Sequence, residues 1–184
     1  MRGMVLRAVF AAALGWSAAI QASDDALIPV LEYELAPGEA AHMGTALVQV
    51  FADGRVLLQR PAYWKQPGTY EQRLTEAELA TLLTRATALG FAELSPEALE
   101  QAQEESLSAK QALMEVQDAD RISISVRTGG LDETVVVTAP SARSAVLPQV
   151  QALSSLVRLD RDFRRLLSAA PDGKARRLAE GELP

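Results

Sequence analysis

His42 is the only histidine in this chain and there is no cysteine, so nucleophilic or metal chemistry would have few parts to work with. His42 precedes Met43 in the stretch EAAHMG, and a His–Met pair is a donor set that copper accepts. Copper would need a further soft ligand, and the chain offers no second histidine and no methionine-rich run, so a surface loop histidine is the expectation. The absence of cysteine excludes thiol catalysis, disulfide exchange and Cys-based zinc sites. Glu32 and Glu34 stand two apart, hence on one face of a strand. Glycosidase carboxylates must oppose each other in unequal environments, so this pair reads as a solvated face. Asp118 and Asp120 resemble the start of a calcium loop, but Arg121 and Ile122 supply neither the next oxygen ligand nor the turn glycine. Ser106, Ser108 and Lys110 do not match the S-x-x-K spacing of a serine–lysine dyad. Gly129-Gly130 lacks the helix and lysine of a phosphate loop.

The segment PAYWKQPGTY, residues 61–70, is better suited to binding than to catalysis. Tyr63, Trp64 and Tyr70 are three of the seven aromatic residues beyond position 22, and they fall within eight positions of each other. With Lys65 they form a Pro/Gly-punctuated loop between two strands, where large rings can stack on a sugar or a partner peptide. In that reading Trp64 is substantially exposed. In the alternative it plugs one end of the core.

Export is written into the N-terminus. Arg2 and Arg7 precede a 13-residue uncharged run, Ala8–Ile20, and the small residues Ala18, Ala19 and Ala22 lead into Ser23-Asp24-Asp25. The run is short for a bilayer crossing, which takes about 20 apolar residues, and has the length of a secretory signal with a small-residue cleavage site. Cleavage is expected after Ala22, with Ala19 as the alternative, giving a periplasmic or secreted protein. No later stretch is apolar enough for a transmembrane anchor. Removing two arginines leaves 16 basic against 24 acidic side chains, net −8, the wrong sign for a nucleic-acid binder.

The elements that must position these residues follow from local pattern. LIPVLEYEL, residues 27–35, predicts a first strand whose Pro29 would confine its start to a sheet edge. ALVQVFA-DG-RVLLQRP predicts a hairpin with a two-residue type I′ turn at Asp53-Gly54, setting Phe51 opposite Val56 and Gln49 opposite Leu58. Both faces of that hairpin are partly apolar. One should meet helices, and another strand, a loop or a partner would cover the second. Residues 69–74 allow another strand. Thr75-Glu76-Ala77-Glu78 is a capping box, and Leu79, Leu82, Leu83, Ala86 and Leu89 continue at helical spacing up to a left-handed stop at Gly90. Ser95-Pro96 opens a second helix, and residues 100–111 are helix-prone but almost devoid of apolar side chains. Ile122, Ile124 and Val126 alternate with polar residues, and Gly129-Gly130 turns that strand back through residues 134–138. Val146, Val150, Leu153 and Val157 predict a last helix, its start blurred by Pro148, extended by Leu159, Phe163, Leu166 and Leu167. Charge is segregated as well: residues 93–118 hold seven acids and one lysine, residues 158–177 seven bases and three aspartates. The basic stretch suits an anionic membrane, a complementary acidic helix, or helical pairs such as Asp160 with Arg164.

From Leu47 to Leu94, the DG hairpin, the RLTEAELATLL helix start and the GFAEL exit resemble small exported bacterial α+β domains of unknown function. The cysteine-containing N-terminal loop of one such group is missing here. The resemblance implies an exported module and carries no active site. The expected architecture is therefore α+β: an antiparallel sheet of two hairpins with helices packed mainly on one face. Residues 1–22 form the signal, 23–170 a single domain and 171–184 a tail too polar to fold. Function is expected to be that of an accessory or binding protein without cofactor or metal, its partner a protein or glycan of the cell envelope. The rival is a periplasmic hydrolase using carboxylates or a Ser/Lys pair.

Overall fold

The computed structural model describes residues 28–38, 44–106, 119–170, 175–179 and 182. Their centre is an antiparallel sheet of seven strands: β1 (Leu31–Ala36), β2 (Ala46–Val50), β3 (Arg55–Arg60), β4 (Gly68–Arg73), β5 (Arg121–Thr128), β6 (Leu131–Thr138) and β7 (Arg176–Arg177). Their order across the sheet is β6-β5-β1-β2-β3-β4-β7. The helices are α1 (Glu76–Thr87), α2 (Pro96–Glu104), α3 (Pro140–Val146) and α4 (Gln151–Ala169), with a 3₁₀ turn at Ala92–Leu94. The α+β expectation holds.

β1 is an interior strand of the sheet and not an edge. It pairs with β2 on one side and β5 on the other, joining the two predicted hairpins into one surface. Pro29 is compatible with this because it lies before the strand. The first ladder groups are those of Val30, whose N–H donates to Val50 at 2.8 Å and whose carbonyl accepts from Arg127 at 2.8 Å.

The β2–β3 turn differs from expectation by one residue. Val50 lies opposite Val56 and Val48 opposite Leu58. Phe51 accepts a bond from Gly54 N–H, and its own N–H donates to Arg55. Only Gly54, at φ 83°, is left-handed here, so the loop is a three-residue turn ending in a glycine bulge. The extra residue puts Val48, Val50, Val56 and Leu58, all fully buried, on one face. The β5–β6 hairpin is the predicted two-residue kind, with Thr128 opposite Leu131 and both Gly129 and Gly130 at positive φ.

Leu31, Tyr33, Leu35, Val48, Leu58, Ile122, Ile124 and Val126 form one side of the core, and helices supply the other through Leu82, Ala86, Leu153, Leu156, Leu159, Phe163 and Leu167. The opposite sheet face carries Glu32 and Glu34 beside Gln49, Ser123 and Ser125. Leu57, on that second face, is nonetheless buried.

α1 begins at the predicted capping box. Thr75 Oγ1 accepts the Glu78 N–H at 3.3 Å, and the Glu78 carboxylate accepts the Thr75 N–H at 2.8 Å. Its end is not the left-handed glycine. The helix stops at Thr87, and Gly90 is instead a close approach, since a Cβ there would lie 3.2 Å from that of Ala152. Ser95 caps α2 by accepting the Ala98 N–H, with Pro96 in the first turn. The single last helix foreseen from Val146 is two helices, because Pro140 opens α3 after Ala139 in a left-handed conformation and Pro148 lies in the joint. Within the predicted tail, Arg176 and Arg177 add β7 to the edge of β4. Backbone pairing and the Arg176–Glu71 ion pair, at 3.0 Å, hold it there without an apolar contribution from these two side chains.

The apolar stripe of α4 is interrupted by a buried acid, Asp160, which is 5% exposed. Its carboxylate accepts the Tyr33 hydroxyl at 2.6 Å and the Arg164 Nε at 2.9 and 3.0 Å. Arg164 reaches on to Asp120 at 2.8 Å. The Tyr33 ring stacks on Phe163 with centroids 4.7 Å apart. The i, i+4 spacing of Asp160 and Arg164 is thus a pair, as expected, but one that closes a network across the core.

Candidate functional site

The loop of residues 61–67 joins β3 to β4, and its conformation is set by local bonds. Trp64 N–H donates to the Pro61 carbonyl at 3.0 Å, closing a turn, and Gln66 follows in the left-handed region at φ 60°. The Tyr70 hydroxyl donates to the Gln66 carbonyl at 3.1 Å, tying the loop to the strand that follows. Tyr63 and Trp64 meet edge to face, with centroids 6.4 Å apart.

The predicted residues separate by burial. Lys65 is exposed, and Tyr63 is half-buried. Tyr70 is buried on the core side of β4, which makes its side chain the least accessible of the four. Trp64 is half-buried and packs against the core, so it is neither the freely exposed ring nor the fully enclosed plug.

What gathers the rings is Arg60, which lies just outside the aromatic segment and is not singled out by its composition. It shares the inward parity of Val56 and Leu58, and that was the available signal: a cation at a core-facing position of a strand. Its guanidinium carbon lies 5.4 Å from the Trp64 centroid and 6.0 Å from that of Tyr70, within reach of cation–π attraction. Arg60 is 8% exposed, and its Nε and Nη1 have no hydrogen-bond partner among the described residues. Each unpartnered buried donor costs about 1–3 kcal/mol, so the π faces offset only part of this. Across the same strand end, Arg177 occupies the space a side chain at Gly68 would take. Its Nε lies 3.0 Å from where that Cβ would be, and its Nη2 donates to the Pro67 carbonyl at 2.9 Å. The result is a cationic, aromatic corner built from β3, the loop, β4 and β7. Guanidinium donors beside aromatic faces suit a ligand that presents oxygen acceptors and a flat apolar surface.

The other candidates are not brought together here. Glu32 accepts the Gln49 amide at 2.8 Å, and Glu34 is exposed on the same sheet face. Asp120 bonds Arg164, while Asp118, Ser108, Lys110 and the His42-Met43 pair lie outside the described residues. Among the described residues, no group of three His, Cys, Asp or Glu side chains is placed to hold a metal ion. No described helix is long and apolar enough to cross a membrane. Comparison with protein families, with curated proteins and with solved structures finds no match for this chain.

Proposed function

We propose that this is an exported, soluble binding protein of the cell envelope, acting without catalysis, whose recognition element is the loop of residues 61–70. The observation that carries the reading is Arg60, a buried guanidinium set against Trp64 and Tyr70 with two nitrogens unpartnered among the described residues. Unsatisfied buried donors are uncommon in folded proteins, and a bound acceptor is one physical reason for keeping them. Tyr63, Trp64 and Lys65 supply the accessible rim, and a glycan or an envelope protein supplies both the acceptor oxygens and an apolar face.

Two substitutions test this in one experiment. Trp64→Ala is expected to cost roughly 0.5–3 kcal/mol in a chemical melt, the ordinary range for one substitution. Retention of an envelope component by the immobilised protein should meanwhile weaken by about 2 kcal/mol or more. Arg60→Met is expected to hold or raise stability, because it removes the two unpartnered donors, and to abolish retention. If Trp64→Ala costs more than about 3 kcal/mol, as truncating an enclosed aromatic does, Trp64 is a plug and the loop is not the recognition element. Undiminished retention by both variants would have the same consequence.

Export has its own test. The change from the apolar run ending at Ile20 to Asp24-Asp25 places the new N-terminus at Ser23. N-terminal sequencing of periplasmic material should read Ser-Asp-Asp, and an intact Met1 there would end the localisation reading.

A further inference from the structure

The seam between α1 and α4 holds two adjoining depressions of opposite character. One, of about 400 Å³, is walled by Leu74, Ala77, Leu82 and Leu166. The other, of about 390 Å³, is lined by Arg85, Arg158, Arg161 and Arg165, with Asp162 as its acid. Arg85, Asp162 and Arg165 belong to both, so the apolar groove opens directly into the cationic cleft. Four cations meet one carboxylate there, in a chain whose net charge is −6. Asp162 is shared between Arg85 and Arg165, the latter at 3.6 Å. Arg158 and Arg161 form no ion pair among the described residues. The Glu78 carboxylate, at the far wall of the groove, is held in the capping box by Thr75.

An apolar trough ending in unneutralised guanidinium groups matches a molecule with an alkyl chain and an anionic head. We propose that this seam binds one anionic amphiphile at a time, its chain along Leu74, Ala77, Leu82 and Leu166 and its phosphate or carboxylate on Arg158, Arg161 and Arg165. Arginine forks suit such oxyanions because they donate two parallel hydrogen bonds. Each depression lies within the ~300–1,000 Å³ typical of small-molecule sites. The concave shape selects a single molecule over a bilayer. Insertion into a membrane requires protruding apolar side chains, and the large exposed ones among the described residues, Ile28 and Val136, lie on neither α1 nor α4. This site is separate from the 61–70 loop and stands or falls without it.

The test is calorimetric titration of the purified protein with dodecyl phosphate below its micelle concentration. Inorganic phosphate, octyl glucoside and phosphatidylcholine vesicles containing phosphatidylglycerol serve as the comparison arms. One molecule of dodecyl phosphate should bind per chain, at least tenfold more tightly than either inorganic phosphate or the neutral glucoside. The exposed-site pair Arg158→Gln with Arg161→Gln should weaken it at least tenfold without moving the thermal melt. Ala77→Glu, at an exposed position of the groove wall, should weaken it similarly and leave phosphate binding unchanged. Affinity no better than that for inorganic phosphate would overturn the proposal, as would indifference to these substitutions. Binding to the vesicles without binding to the monomeric amphiphile would overturn it in favour of a membrane surface.

Discussion

Asp160→Ala is expected to lower the stability of this protein by about 1–3 kcal/mol, the cost of leaving the buried Tyr33 hydroxyl without an acceptor. For a domain of this size that corresponds to a fall in Tm of up to about 10 °C. Asp160 is the acceptor for both the Tyr33 hydroxyl and the Arg164 guanidinium, and it is 5% exposed. Without it the phenol is buried with no acceptor, and Arg164 keeps only Asp120, across a pair that is more than one-third exposed on both sides. Most of the loss therefore comes from the groups left behind and less from the pair itself. Asp160→Asn keeps an acceptor oxygen for Tyr33 and should cost distinctly less. A urea melt of the two variants decides the matter: if both lose less than about 1 kcal/mol, Asp160 does not organise the core.

Stability should also fall steeply in alkali, and Tyr33 should be the cause. Burial raises its phenol above the ordinary value of 10.0, and the hydrogen bond to Asp160 and the charge of that carboxylate raise it further, against a lowering by Arg164. In the unfolded chain the phenol ionises near pH 10, whereas in the folded chain it stays protonated. Above that pH the folded state holds one more proton than the unfolded state, so each further pH unit favours unfolding. The contribution is fully present below about pH 10 and declines above it by up to about 1.4 kcal/mol per pH unit. Tyr33→Phe removes the titrating group, so its stability should change less between pH 9 and pH 12 even though its value at pH 7 is lower. Parallel pH profiles for the two proteins would show that Tyr33 is not responsible.

Features settled within a few residues of one another are legible in the amino-acid sequence. The Thr75–Glu78 capping box, the Ser95-Pro96 helix start, the Gly129-Gly130 turn and the alternation of Ile122, Ile124 and Val126 all appear in the structure as read. Each depends on groups close in the chain, where spacing alone fixes the geometry. The Asp160–Arg164 pair was legible for the same reason, being one helical turn apart.

The remaining features depend on contacts between distant segments. Pro29 suggested an edge, yet β1 is interior because β2, the next strand, pairs on one side and β5, much further along the chain, pairs on the other. The glycine bulge after Asp53 moved the β2–β3 register by one residue, which reverses which side chains share a face. Arg176 and Arg177 looked like tail until the edge of β4 gave their backbone a partner. The candidate site divides along the same line. Its aromatic residues could be picked out by composition, but Arg60 became central only when Trp64 and Tyr70 were placed against it. Likewise, Tyr33 and Asp160 are 127 residues apart and meet only because α4 crosses the sheet. Local spacing encodes turns, caps and pairs. Burial and the partner of a buried charge depend on which distant surfaces meet, and that is fixed only when the sheet and helices close on a common core.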